Sequence, residues 1–333
     1  MKRTSVMIIT RTPFRISFAG GGSDLESYYR HAVGAVLSTA INRYMYVSVM
    51  DRFGDTYRIS YSRTELVDRA DQIQHPIVRE CLDMLKVRGG LEIVSMANLP
   101  AESGLGSSGS FTVALLHALH AMQGHVVTAH RLASEACVIE IERLREPIGK
   151  QDQFIAAYGG LQFIQFHPDG HVSVDPVICA PETRRELNRR LMVFYAGGTR
   201  AARDILARQS ANTANHLPAI AKMCEIAHQL RDVLTVGRDL NEFGYLLHRA
   251  WELKKSLEGT ISNERIDDQY ERAMRAGALG GKLLGAGGGG FLLFYCEPHL
   301  QDRLRAELHE LSELPFSFDL EGSKVIHVGS DRW

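Results

Sequence analysis

Between an alternating apolar run, Leu91 to Ala97, and a segment whose apolar residues Phe111, Leu115, Leu116, Leu119 and Met122 recur at helical spacing, the chain places PAESGLGSSGS, Pro100 to Ser110. No other stretch limits the fold as much. Glycines and serines at that junction predict a strand that turns directly into a helix. Gly104, Gly106 and Gly109 let backbone N–H groups approach a ligand closely, and the amides and dipole of a helix N-terminus favour an anion. The phosphates of a nucleotide suit such a cradle, formed by Pro100, Ser103, Gly104, Leu105, Gly106, Ser107, Ser108, Gly109 and Ser110. The pattern is neither a P-loop, since no Gly-Lys-Ser/Thr follows, nor the GxGxxG fingerprint of dinucleotide-binding folds. A serine-capped glycine turn with no ligand would look the same locally, so the rest of the chain has to decide.

At 333 residues the chain exceeds what one core usually serves, and two domains are expected. The texture changes near Ala180 to Arg190, which divides the chain into segments 1–185 and 186–333. A net charge of −1 offers no basic footprint for nucleic acid or a membrane surface. Cys81, Cys137, Cys179, Cys224 and Cys296 are odd in number and lack CxxC spacing, so neither a disulfide framework nor a zinc site is indicated and a reducing cytoplasm is expected. No signal-peptide core and no run of about 18 apolar residues is present.

In chain order, Ser5 to Pro13 reads as a strand, and RISFAGGGSD (Arg15 to Asp24) continues it to three glycines before a helical Leu25 to Arg30. A carboxylate just past such a turn, here Asp24, is by itself most often a helix cap. Ala35 to Met50 and Tyr57 to Tyr61 read as strands, and Val126 to Leu144 as one helix. Asp152 falls in a helix-start context, where its spacing alone says nothing of catalysis. In the second half, Leu191 to Tyr195 and Phe291 to Tyr295 read as strands; Leu217 to Leu230 and Leu240 to Trp251 carry helical patterns. Gly280 to Gly290 reads as a glycine-rich loop, whose folding entropy favours a close approach to something.

Three ordered glycine-bearing segments, Pro13 to Asp24, Pro100 to Ser110 and Lys282 to Gly290, resemble the three motifs of the GHMP kinase superfamily. The forms RISFAGGGSD, IGKQDQ and KLLGAGGGGF are similar to those of D-glycero-D-manno-heptose 7-phosphate kinases. This resemblance implies an α+β two-domain fold: an N-terminal domain like domain 2 of ribosomal protein S5, then a ferredoxin-like domain, with the site between them. It also implies ATP and a sugar phosphate as substrates and Mg²⁺ as the metal. Asp152 aligns with the catalytic base and Arg15 with the cation beside it. Ser108 and Glu140 align with the metal site, with Glu142 as the nearby alternative, and one hydroxyl plus one carboxylate suits an ion that keeps several waters.

For the acceptor, the resemblance points to Asp24, Ser23 and Gly22, and to Gly287 and Gly288 of the third motif. Arg200, Lys282 and Lys150 are candidates to read a phosphate carried by the sugar. Gly21-Gly22-Ser23-Asp24 replaces the Glu-His-Thr-Asp run typical of galactokinase, which argues against galactose. The implied reaction is phosphorylation of the anomeric hydroxyl of heptose 7-phosphate. The alternatives are an unphosphorylated sugar such as fucose, or a sugar-binding regulator without turnover. Oligomeric state is open, with a homodimer as one candidate.

Overall fold

In the computed structural model, the residues described are 6–100, 103–198, 205–208, 212–237 and 239–330. The first sheet is built around two long strands. β1 (Val6–Ala19) runs antiparallel to β2 (Gly34–Asp51), paired from Met7↔Met50 to Ala19↔Leu37. Pro13 interrupts β1, and the register shifts between Pro13 and Phe14, because proline has no N–H to give the ladder. The expected strand and its glycine-ending continuation are thus one strand with an irregularity. α1 (Glu26–Tyr29) follows the glycines.

β2 is long enough to serve two partners. Its second half pairs with β5 (Leu91–Ala97), which in turn pairs in parallel with β3 (Tyr57–Ser60), with β4 (Thr64–Val67) at the edge. Its first half pairs with β6 (Leu161–Phe166), which forms a hairpin with β7 (Val172–Pro176). Between these strands run α2 (Pro76–Met84), α3 (Ser107–Met122), α4 (Ala129–Cys137) and α5 (Gln151–Tyr158). α3 is buried on nearly every side, and Thr10 of β1 donates to its Ala114 carbonyl at 2.9 Å. The helix expected over Val126 to Leu144 is shorter: α4 gives way at Val138–Arg143 to a π-helical segment, closed by Leu144 N–H to the Ile139 carbonyl at 3.0 Å.

α6 (Pro181–Arg190) lies where the domain boundary is expected and leads into the second sheet. That sheet holds β8 (Leu191–Gly197), β9 (Ala278–Leu283), β10 (Gly290–Cys296) and the short β11 (Ser312–Glu313), all antiparallel in the order β11-β8-β10-β9. Helices α7 (Thr213–Val236), α8 (Asn241–Lys255), α9 (Glu264–Ala276) and α10 (Gln301–Glu307) accompany it. The loop expected from Gly280 begins only after Leu283. Gly280 is a strand residue, and a Cβ there would stand 1.9 Å from the Gly244 carbonyl of α8, so its glycine serves helix-to-strand packing.

The last strand, β12 (Lys324–Ser330), returns to the first sheet and pairs antiparallel with β1. The first sheet thus takes all its strands from before α6 except this one, and the expected division at 185/186 falls within α6 itself. Among the described residues no helix is long and apolar enough to cross a membrane.

Candidate active site

Past the irregularity at Pro13, β1 carries Arg15 into a cleft of about 190 Å³ between the two sheets. Its guanidinium makes a two-point contact with Asp152, Nε donating to Oδ1 at 2.7 Å and Nη2 to Oδ2 at 2.9 Å. Nη1 donates to the Gly104 carbonyl at 2.6 Å. Such fork-to-carboxylate pairs fix orientation as well as charge. Asp152 sits in the first turn of α5, where the helix dipole favours an anion. Its side chain keeps 27% of its surface exposed, against 6% for Arg15, so the carboxylate faces the cleft with the guanidinium behind it.

Facing this pair is the start of α3. Gly106 caps the helix at φ 79°, in the left-handed region. Gly104, Gly106, Ser107, Ser108 and Gly109 all line the cleft. The remaining residues of the expected cradle do not. Ser103 and Leu105 are buried behind it, the Ser110 hydroxyl donates to the Pro13 carbonyl at 2.9 Å, and Pro100 is exposed. The contribution of Ser110 is to tie α3 to β1 at the proline irregularity.

Ser108 donates to Glu140, which also accepts from Gln153 Nε2 at 2.8 Å. Glu140 is 1% exposed; burial pushes its carboxyl up to about 7, opposed by the bonds from Ser108 and Gln153 and reinforced by the charge of Asp152. A buried carboxylate beside a serine hydroxyl, with no cation paired to it among the described residues, is a donor set that fits a hard divalent ion. Glu142, further along the π-helical segment, is exposed.

Asp24 also lines the cleft. It does not cap the helix that follows it, whose cap position is Leu25. Its carboxylate instead accepts from the Gly22 N–H at 2.9 Å and from the Gln151 N–H at 3.3 Å. Burial, then the charge of Asp152, raise its pKa against these bonds. Gly22 lines the cleft with it, whereas Ser23 is buried and holds the backbone of Ala35.

The third motif closes the cleft by packing backbone on backbone. A Cβ on Gly285 would stand 2.4 Å from the Gly104 Cα. Gly287 lines the cleft and Gly288 bonds the Ile261 carbonyl instead. Of the cations expected to read an acceptor phosphate, Lys282 lines the cleft, but its amine donates to the Ser17 and Phe18 carbonyls at 2.8 and 3.0 Å. Lys150 points away, bonded to the Gly170 carbonyl at 3.0 Å and over the Tyr29 ring. Arg200 lies outside the described residues.

The cation that sequence reasoning missed is Lys254 of α8. It lines the cleft and donates to the Gly285 carbonyl. Burial, then Arg15, bring its amine down to about 8, with Asp24 acting the other way. A signal for it existed, since Phe243, Leu247, Ala250 and Lys254 follow one another at spacings of four, three and four, which puts the lysine on the apolar stripe.

The model of the GHMP kinases N terminal domain matches residues 76–160, and that of the GHMP kinases C terminal matches 217–313. The D-glycero-alpha-D-manno-heptose 7-phosphate kinase of Campylobacter jejuni is 28% identical over 95% of this chain and 98% of its own. The bifunctional fucokinase/GDP-fucose pyrophosphorylase of Arabidopsis thaliana is 27% identical over 94% of this chain, but over only 32% of its own length. Among solved structures, a D-glycero-D-manno-heptose 1-phosphate kinase from Bacteriodes thetaiotaomicron superposes with a TM-score of 0.79 at 23% identity, covering 96% of this chain and all of that one. Lactococcus lactis galactokinase gives 0.76 at 18%, covering 96% and 95%; at such identities these likenesses speak for the fold. With both family models matched in order and the two-domain fold in place around one cleft, the chain belongs to the GHMP kinases.

Proposed function

We propose that this kinase transfers the γ-phosphoryl group of ATP to the anomeric hydroxyl of D-glycero-D-manno-heptose 7-phosphate, giving the 1,7-bisphosphate. The observation that carries the reading is that the Arg15–Asp152 pair shares one cleft with the backbone start of α3 and with Asp24 and Gly22. Phosphoryl transfer is catalysed chiefly by positioning and charge neutralisation. The N–H groups at the start of α3 hold phosphate oxygens. Asp152 orients the acceptor hydroxyl and takes its proton. Arg15, fixed by Asp152 and the Gly104 carbonyl, places a guanidinium beside the charge that develops on the transferred group. Asp24 accepts from sugar hydroxyls. Ser108 and Glu140 would hold Mg²⁺, which when bound neutralises phosphate charge.

The choice of heptose 7-phosphate draws on the relative from C. jejuni, similar over nearly its whole length. A second reading, an unphosphorylated sugar such as fucose, draws on the similarity to about a third of the A. thaliana bifunctional fucokinase/GDP-fucose pyrophosphorylase. ADP release measured across a panel of sugars and sugar phosphates separates them. Heptose 7-phosphate is expected to exceed unphosphorylated heptose and fucose in kcat/KM by at least about a hundredfold, roughly the discrimination of one charge-assisted contact or two. A preference for fucose would overturn the assignment.

A further inference from the structure

We infer that Lys254 is the residue that engages the phosphate already carried by the acceptor, an inference that rests on the heptose 7-phosphate reading above. A lysine on the apolar stripe of a helix replaces a side chain that would pack there without charge. Lys254 is 6% exposed; among the described residues its amine bonds a single atom, the neutral Gly285 carbonyl, and no carboxylate lies in salt-bridge contact with it. A buried cation without an anion is unfavourable for folding, and positions that sacrifice stability in a cleft are where function is to be sought.

Its location selects the ligand. Lys254 lines the same cleft as Asp24, Gly21 and Gly22, and the charged groups it interacts with there are Arg15, Asp24 and Lys282, the company of the acceptor residues. Ser108 and Glu140 are engaged with each other. Arg15 is committed to Asp152 through two bonds, and Lys282 to two backbone carbonyls. Lys254 is therefore the cation in this company whose donors are least used. A phosphate monoester brings nearly two negative charges, enough to hold the amine protonated in a site that otherwise disfavours it.

The test uses the full-length protein, wild type, Lys254→Met and Lys254→Arg, with heptose 7-phosphate and unphosphorylated heptose as acceptors. Methionine matches the length of the stem and belongs on an apolar stripe, so the variant is expected to fold with an unchanged or higher Tm. For Lys254→Met, kcat/KM should fall about a hundredfold on the phosphorylated sugar, mainly through KM, and less than about threefold on heptose. Lys254→Arg should keep at least a tenth of the wild-type preference. An equal loss on both sugars would overturn the inference and move Lys254 to the transferred phosphoryl group. No loss on either would remove it from recognition altogether. If the wild type itself ignores the 7-phosphate, the functional reading fails first, visible before any variant is compared.

Discussion

Asp152 holds both carboxylate oxygens on one guanidinium and remains open to the cleft. Asparagine there would keep the shape but lose the base, so Asp152→Asn is expected to lower kcat about a hundredfold or more while KM for ATP changes little. Steady-state kinetics check this, and turnover within a few-fold of wild type would remove Asp152 from the role of base. Lys254 makes a prediction of a different kind, in stability against pH. Its amine titrates at about 8 in the fold against an ordinary value of 10.5. The folded protein thus binds this proton less tightly than the unfolded chain. The resulting destabilisation is complete below the folded value and is relieved as the pH rises from there to 10.5. Thermal melts of Lys254→Met should therefore exceed wild type most at neutral pH and converge toward it near about pH 10. A difference independent of pH would mean that packing, not charge, sets the effect.

Among the elements, the joint between the second and third motifs is the most exacting. Gly104 and Gly285 meet with no room for a methyl group, and both have positive φ, 83° and 76°. Gly285→Ala should destabilise the protein by about 1–3 kcal/mol through overpacking and strain. It should also lower kcat/KM by widening the gap between the start of α3 and the acceptor residues; chemical denaturation and kinetics on the same sample check both. A stable, fully active variant would show that the loops are free to separate. This joint also marks how far sequence reading reached. The strand, turn and helix around Pro100 to Ser110 were legible because glycine placement and apolar spacing are local. The direction of Ser110, turned to Pro13, was not, because it depends on a contact between residues far apart in the chain. Likewise the local pattern alone makes Asp24 a cap for the helix after it, and only the resemblance points it to the acceptor; its bond from Gln151 at the start of α5 depends on a contact distant in the chain. Lys254 was missed although its spacing exposed it, because a helical lysine is ordinarily solvated. The π-helical segment carrying Glu140 depends on hydrogen-bond register, which composition does not encode.

At the scale of the whole molecule, the two sheets share the cleft, and the C-terminal strand makes the first sheet depend on the end of the chain. β12 covers the edge of β1, and Ser323 just before it bonds both Thr12, at 2.7 Å, and His117 of α3, at 2.9 Å. Removing residues 324–333 should leave β1 as an unpaired edge, lower Tm by at least about 5 °C and reduce activity, since β1 carries Arg15. Calorimetry on the truncated chain would show it, and an unchanged Tm would mean that α3 and β2 alone hold β1.

Because Val6 faces Ser330 across that ladder, the two described ends of the chain stand about one strand spacing, ~4.8 Å, apart. Residues 6 and 330 are thus neighbours across the first sheet. Joined there by a short linker and reopened at the exposed turn around Phe53 and Gly54, it would present its three glycine motifs in the order second, third, first. Arg15, Asp24 and Asp152 would still meet in the same cleft. A permuted gene is therefore expected to yield active enzyme, and an inactive but folded product would show that the order of the motifs along the chain matters as well as their place in space.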